Sequence, residues 1–186
     1  MTSAREAAVA PLIEVEVEDD AWARALPEVQ ALVVEAIVAA LTHELLPHDE
    51  NGITEASLGP ITILLADDAT VRDLNARFRG RDNATNVLSF PAAPQPGLGL
   101  AGSQPLGDLA VAFGVCAAEA AEQGKTLGDH LQHLVVHGVL HLLGRDHEND
   151  ADAEAMEAIE LTVLAGLGVS DPYRAARPDG VEADDV

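Results

Sequence analysis

The stretch His137-Gly138-Val139-Leu140-His141-Leu142-Leu143-Gly144-Arg145-Asp146-His147 decides how this chain is read. His137 and His141 are four residues apart, so on a helix they project from one face, one turn apart. Gly144 offers that helix a place to end, because glycine tolerates the left-handed conformation that many helix C-termini need. The turn can swing His147 back toward the other two. Three neutral imidazoles with a fourth position open is the layout of a catalytic zinc site, whereas a structural site closes all four positions, usually with cysteines. The chain has only Cys116. The spacing therefore predicts one zinc ion per chain, held by His137, His141 and His147 at the end of a central helix. Nickel or copper would also suit imidazole ligands. His130 and His133 share the helical stripe. A His133–His137 pair would leave His147 farther off along the chain, so these two are expected beside the metal or facing substrate.

Working outward, Leu12 to Glu18 alternates apolar and acidic residues, the period of a half-buried strand. Asp20 is the expected N-cap of a helix from Ala21, with Pro27 dividing it from an amphipathic helix over Val29 to Leu46. Ile61 to Ala66, Asn86 to Phe90 and Asp108 to Phe113 read as further strands, with Pro91 ending the second. Ala69 to Phe78, Val115 to Gln123, Leu127 to Leu143 and Asp152 to Leu167 read as helices. Ala92 to Pro105 is rich in Pro and Gly and is expected to form a flexible flap. The elements mix without regular alternation and no repeat or phosphate-binding glycine loop occurs. The fold class is α+β: one domain over residues 11–173, a small mixed sheet backed by helices, with residues 1–10 and 174–186 as disordered tails.

The 186 residues suffice for one sizeable core. A single cysteine fits a reducing compartment, no segment looks like a signal peptide, and none approaches the roughly 20 apolar residues of a membrane span. A cytoplasmic protein with no membrane partner is expected. The formal charge of −22 disfavours broad contact with a phosphate backbone. Yet Arg72, Arg77, Arg79 and Arg81 gather four of the ten basic residues into one short strip. Such a strip on an acidic body can still guide a phosphate.

Zinc lowers the pKa of bound water to about 7 and polarises carbonyl or phosphoryl oxygens, so peptide hydrolysis and phosphodiester cleavage are the two candidate reactions. Helical zinc proteases carry a glutamate directly after the first histidine as general base. Gly138 occupies that position and cannot take a proton, which argues against a peptidase. Its missing side chain is also expected to leave room for substrate beside the metal.

The segment His137–His147 resembles the signature of the YbeY family of bacterial metal-dependent endoribonucleases, which act in ribosomal RNA maturation. Leu74 to Pro91, Leu106 to Val111, the acidic helix around Glu154 to Glu160, and Gly168 to Tyr173 are similar to further blocks of that family, in the same order. The resemblance spans roughly Ile61 to Tyr173. Ala84 departs from it, standing where the family often has proline. The resemblance implies His137, His141 and His147 as metal ligands and Arg79 as a functionally important arginine. A guanidinium offers phosphate oxygens a planar fork of donors and can stabilise charge building up in a transition state. Otherwise Arg79 would form an ion pair with Asp82 or Asp108. Asp146 adjoins a ligand. It either supports the ligand and the helix end or orients the catalytic water. The implied activity is cleavage of single-stranded, ribosomal RNA, with the ribosome or its small subunit as partner. A non-catalytic ribosome-assembly factor with a structural metal, and a zinc peptidase, are the competing readings.

Overall fold

Ile13, Val15 and Val17 alternate with Glu14 and Glu16, which gives β1 (Ile13–Val17) one apolar and one acidic face. In the computed structural model, which describes residues 13–44, 59–93, 105–145 and 149–174, this strand forms one edge of a four-stranded sheet. It runs parallel to β2 (Ile61–Ala66), and β2 runs parallel to β4 (Gly107–Ala112). β3 (Val87–Pro91) pairs antiparallel with β4 and forms the other edge, giving the order β1-β2-β4-β3. The central strands are almost wholly apolar because both their faces are covered. Ile61, Ile63, Leu65, Leu109 and Val111 face the main core, while Ala66, Leu88, Ala110 and Ala112 face a smaller one. The sheet is mixed and helix-backed, as the α+β reading requires.

Six helices occur among the described residues: α1 (Asp20–Ala25), α2 (Val29–Glu44), α3 (Asp68–Arg79), α4 (Phe113–Glu122), α5 (Leu127–Leu142) and α6 (Asp150–Gly166). The boundaries differ from the sequence reading where side chains cap earlier than expected. Asp19, not Asp20, caps α1, its carboxylate accepting from the Ala21 amide at 2.9 Å. Asn149 caps α6, so that helix starts at Asp150. Phe113 opens α4 and does not extend β4, because Asp68 Oδ1 accepts the Gly114 and Val115 amides at 2.8 and 3.1 Å and fixes the first turn there. Pro91 is the last residue of β3, which an edge strand tolerates because no partner needs its missing amide hydrogen. Of the expected tails, residues 1–10 and 175–186 lie outside the described residues, as do residues 94–104 of the flap expected over Ala92 to Pro105, and Leu45 and Leu46.

α5 is the central helix. Thr126 caps it, accepting the Asp129 amide at 3.0 Å. Most of its residues are buried, between the sheet on one side and α2 and α6 on others. Gly138 makes the close approach to the sheet possible: a Cβ there would stand 2.8 Å from Leu109 Cδ2 and 3.0 Å from Leu109 Cδ1. The helix ends as expected at Gly144, with φ of 83°, and the Arg145 amide returns to the Leu140 carbonyl at 3.0 Å.

Candidate active site

The i,i+4 spacing on α5 brings His137 and His141 side by side, with their Nε2 atoms 3.1 Å apart and their rings nearly perpendicular. His137 Nδ1 lies 2.7 Å from Glu160 Oε1. A carboxylate only accepts, so Nδ1 carries the hydrogen and the Nε2 lone pair of His137 is directed at His141. Zinc–nitrogen distances are roughly 2.0–2.1 Å, so two nitrogens at this separation are close enough to bind one ion together. The pair therefore fits a metal, and the donor type suits zinc. His147 and Asp146 lie outside the described residues. Among the described residues, no three His, Cys, Asp or Glu side chains converge as a metal-binding group. The alternative His133–His137 pair is not assembled, because His133 Nε2 is turned to Glu160 Oε2 and the Tyr173 hydroxyl, both at 3.3 Å.

Glu160, from α6, is 1 % exposed and serves His137, His133 and Tyr173 together. Burial pushes its carboxyl up, but the hydrogen bonds from His133, His137 and Tyr173 outweigh that and hold it down at about 2. Burial, and then the bond to Glu160, pushes the Tyr173 phenol up, so it stays a donor. Sequence reading noted Glu160 only as part of an acidic helix. A signal was available: it shares a helical stripe with the buried Met156, Val163 and Leu164. His130, expected near metal or substrate, instead sits 2.9 Å from Glu119, whose carboxylate also accepts from Asn86 Nδ2 at 3.0 Å. Burial lowers the His130 pKa against the raising effect of Glu119.

His137 and His141 open onto a cleft of about 690 Å³ that Arg79 and Arg81 also line. Arg79 occupies the last turn of α3, where the helix dipole favours a cation. Gly80, at φ of 68°, ends that helix. Arg79 forms neither of the ion pairs weighed from sequence: its Nη2 donates to the Ser89 carbonyl at 2.8 Å. Asp82 is taken by Arg72 through two bonds of 2.7 and 2.9 Å, and Arg77 pairs with Asp73 at 3.2 Å. The basic strip thus divides, with Arg72 and Arg77 facing carboxylates and Arg79 and Arg81 lining the cleft. The turn after α3, where Ala84 stands, is held by the buried Asn75, whose Nδ2 donates to the Asn83 carbonyl at 2.8 Å. Arg145, missed from sequence, also lines the cleft and donates through Nε and Nη2 to the buried Glu44 at 3.1 and 3.0 Å.

Gly138 does not leave space beside His137 and His141. It faces the sheet, toward Leu109 and Ser89 Oγ. A glutamate there would be driven into the helix–sheet interface, so α5 excludes the protease base by packing.

Comparison with known proteins matches residues 16–168 to the family model described as Endoribonuclease YbeY. A protein of Paramagnetospirillum magneticum named Endoribonuclease YbeY is 48 % identical over 163 residues, covering 87 % of this chain and 94 % of the relative. The protein of that name from Bradyrhizobium diazoefficiens is 46 % identical over 170 residues, covering 90 % and 87 % respectively. One from Halorhodospira halophila is 55 % identical over 116 residues, 62 % of this chain and 75 % of the relative. A Thermotoga maritima protein of known solution structure aligns over 94 % of this chain and 99 % of its own, at 20 % identity with a TM-score of 0.46.

Proposed function

This chain belongs to the endoribonuclease YbeY family, and on that premise we propose that it is a metal-dependent endoribonuclease that cuts single-stranded RNA in ribosomal RNA maturation. The observation that carries the reading is the shared cleft: His137 and His141, with their Nε2 atoms 3.1 Å apart, line it together with Arg79. Zinc, one per chain, is the ion that these donors suit, with His147 as third ligand. When bound it supplies a Lewis acid that polarises a phosphoryl oxygen and activates a nucleophile.

The chain's own residues do the rest. His137 and His141 line the cleft, and Glu160 behind His137 turns that ring's Nε2 lone pair toward His141. Arg79 is anchored through Nη2 to the Ser89 carbonyl, which fixes its guanidinium plane and leaves other N–H groups to meet a phosphate oxygen. That contact strengthens as negative charge accumulates on the phosphoryl group, which is the condition for a contact to lower the barrier. Arg81 adds a second guanidinium to the cleft lining, and Asp146 is assigned to orienting the attacking group. The cleft is open and polar, which suits a flexible single strand. The net charge of −22 confines RNA contact to this cleft, so the ribosome or its small subunit supplies the remaining positioning.

The test is incubation of zinc-loaded protein with a labelled single-stranded RNA, beside a chelated sample, a His141→Ala variant and a casein control. RNA cleavage confined to the loaded, unmodified protein is expected, with rates falling as salt rises. Casein hydrolysis without RNA cleavage would overturn the reading in favour of a peptidase. Normal ribosome binding without cleavage would favour the assembly-factor reading.

A further inference from the structure

Glu160 touches one of the two described imidazoles of the cleft, and it does so from inside the protein. Its Oε1 lies 2.7 Å from His137 Nδ1, on the far side of the ring from the Nε2 that faces His141. Its Oε2 accepts from the Tyr173 hydroxyl and lies 3.3 Å from His133 Nε2. Neither oxygen is available to a solvent-borne partner, since the side chain is 1 % exposed. Tyr173 lies beyond α6, in a short segment that is itself pinned. Lys125 Nζ donates to the Pro172 carbonyl at 2.8 Å, and the Tyr173 amide donates to Asp171 Oδ1 at 2.8 Å.

We infer that Glu160 is a positioning residue that locks His137 in the Nδ1–H tautomer with its Nε2 lone pair facing the cleft, and that Tyr173 holds Glu160 in the orientation to do so. An imidazole free to rotate or to switch tautomer presents a lone pair only part of the time. A carboxylate fixed behind it removes both freedoms and makes the opposite nitrogen more basic. Glu160 needs fixing in turn, because a carboxylate can rotate about its own terminal bond. Tyr173 and His133 occupy the second oxygen, which leaves the first turned to His137. The segment after α6 is thereby connected to the cleft through one buried carboxylate, although it lines no part of it. The inference rests on the proposed metal only for what His137 binds; the tautomer is a property of the protein alone.

The experiment uses the full chain as wild type, Glu160→Gln, Glu160→Leu and Tyr173→Phe. Zinc affinity is measured by competition with a chelator, histidine tautomers by nitrogen-15 NMR of the metal-free protein, and folding by thermal melts. Removing such a partner typically weakens metal binding about 10–100-fold. Glu160→Gln keeps an acceptor for Nδ1–H and loses the charge, so it belongs at the lower end with the tautomer retained. Glu160→Leu belongs at the upper end with the tautomer mixed. Tyr173→Phe, the mildest packing change, lowers affinity less than either and still broadens the His137 signals. Unchanged zinc affinity in Glu160→Leu, or an undisturbed His137 tautomer in both Glu160→Leu and Tyr173→Phe, overturns the inference. If the wild type takes up no zinc, the proposed metal chemistry fails, and the tautomer measurement alone decides the role of Glu160. Should Glu160→Leu not fold, unchanged zinc affinity in Glu160→Gln together with an undisturbed His137 tautomer in Tyr173→Phe overturns the inference.

Discussion

Replacing Gly138 with alanine measures how tightly α5 is pressed onto the sheet. In an unconstrained helix the exchange stabilises by about 1 kcal/mol, because alanine has less conformational freedom to lose. Here the new Cβ would stand 2.8 and 3.0 Å from the two Leu109 methyls and 3.4 Å from Ser89 Oγ. Carbon atoms pack best at roughly 3.5–4.0 Å. Leu109 is 1 % exposed and enclosed by the main core, so its methyls have nowhere to retreat without displacing neighbours. Overpacking of this kind costs about 1–3 kcal/mol. With both methyls struck, the upper part of that range applies, and the net expectation is a loss of about 1–2 kcal/mol. Gly138→Glu adds a carboxylate forced into an apolar interface, a further penalty of several kcal/mol. The assay is urea unfolding of chelator-treated protein, comparing midpoints at constant slope. A Gly138→Ala variant as stable as wild type would refute the close approach of α5 to β4. A folded Gly138→Glu variant that has merely lost RNA cleavage would refute the packing account and place position 138 beside the substrate, as the sequence reading expected.

Arg79→Ala is expected to lower RNA cleavage about 100-fold, the scale of losing one transition-state donor, with zinc content unchanged; Arg79→Lys should recover only part, since a point charge lacks the planar fork. Cleavage kinetics with metal analysis check both, and full activity in the alanine variant would leave Arg79 with only its bond to Ser89. Glu44→Ala strips a buried partner from Arg145. The cost should reach about 2–4 kcal/mol, below the figure for fully buried pairs because the guanidinium keeps some water contact; a double-mutant cycle with Arg145→Ala in denaturant measures it. His130 supplies a pH test. Burial lowers its folded-state pKa below the ordinary value of 6.5, so the folded state binds fewer protons than the unfolded one. Its contribution is therefore complete above about 6.5 and is lost as pH falls through the lower folded-state value. Melting temperatures of metal-free protein should decline over that window less steeply in His130→Phe than in wild type, and parallel curves would contradict the assignment.

The elements whose periods were strong were legible in the sequence, and their ends were not. β2 was read over its full length because a short, bounded apolar run admits one length of buried strand. Asp19 and Asp20 are chemically alike as caps, and only the backbone angles at Asp19 separate them. Asp68 shows the harder case: its carboxylate caps a helix more than 40 residues away, so no local pattern near Phe113 announces where α4 starts. Of the site, His137 and His141 were legible because helical spacing alone places them together. Arg79 was reached through a resemblance, and its basic neighbours misled, since charge density along a chain says nothing of which arginines meet carboxylates across a turn. Gly138 was correctly read as denying a proton acceptor, but its direction depends on the sheet that α5 packs against. Glu160 and Glu44 were passed over because the chain is so rich in acid that single carboxylates carry no signal. Their positions do. Glu44 follows Ile37, Ala40 and Leu41 on one helical stripe, and Glu160 lies between Met156 and Val163 on another. A carboxylate at a core position of an amphipathic helix must meet a cation or a donor inside the protein, because leaving it unpaired costs more than the core gains. Glu44 meets Arg145 and Glu160 meets His137 among its three partners, and both Arg145 and His137 line the cleft that the histidine motif points to.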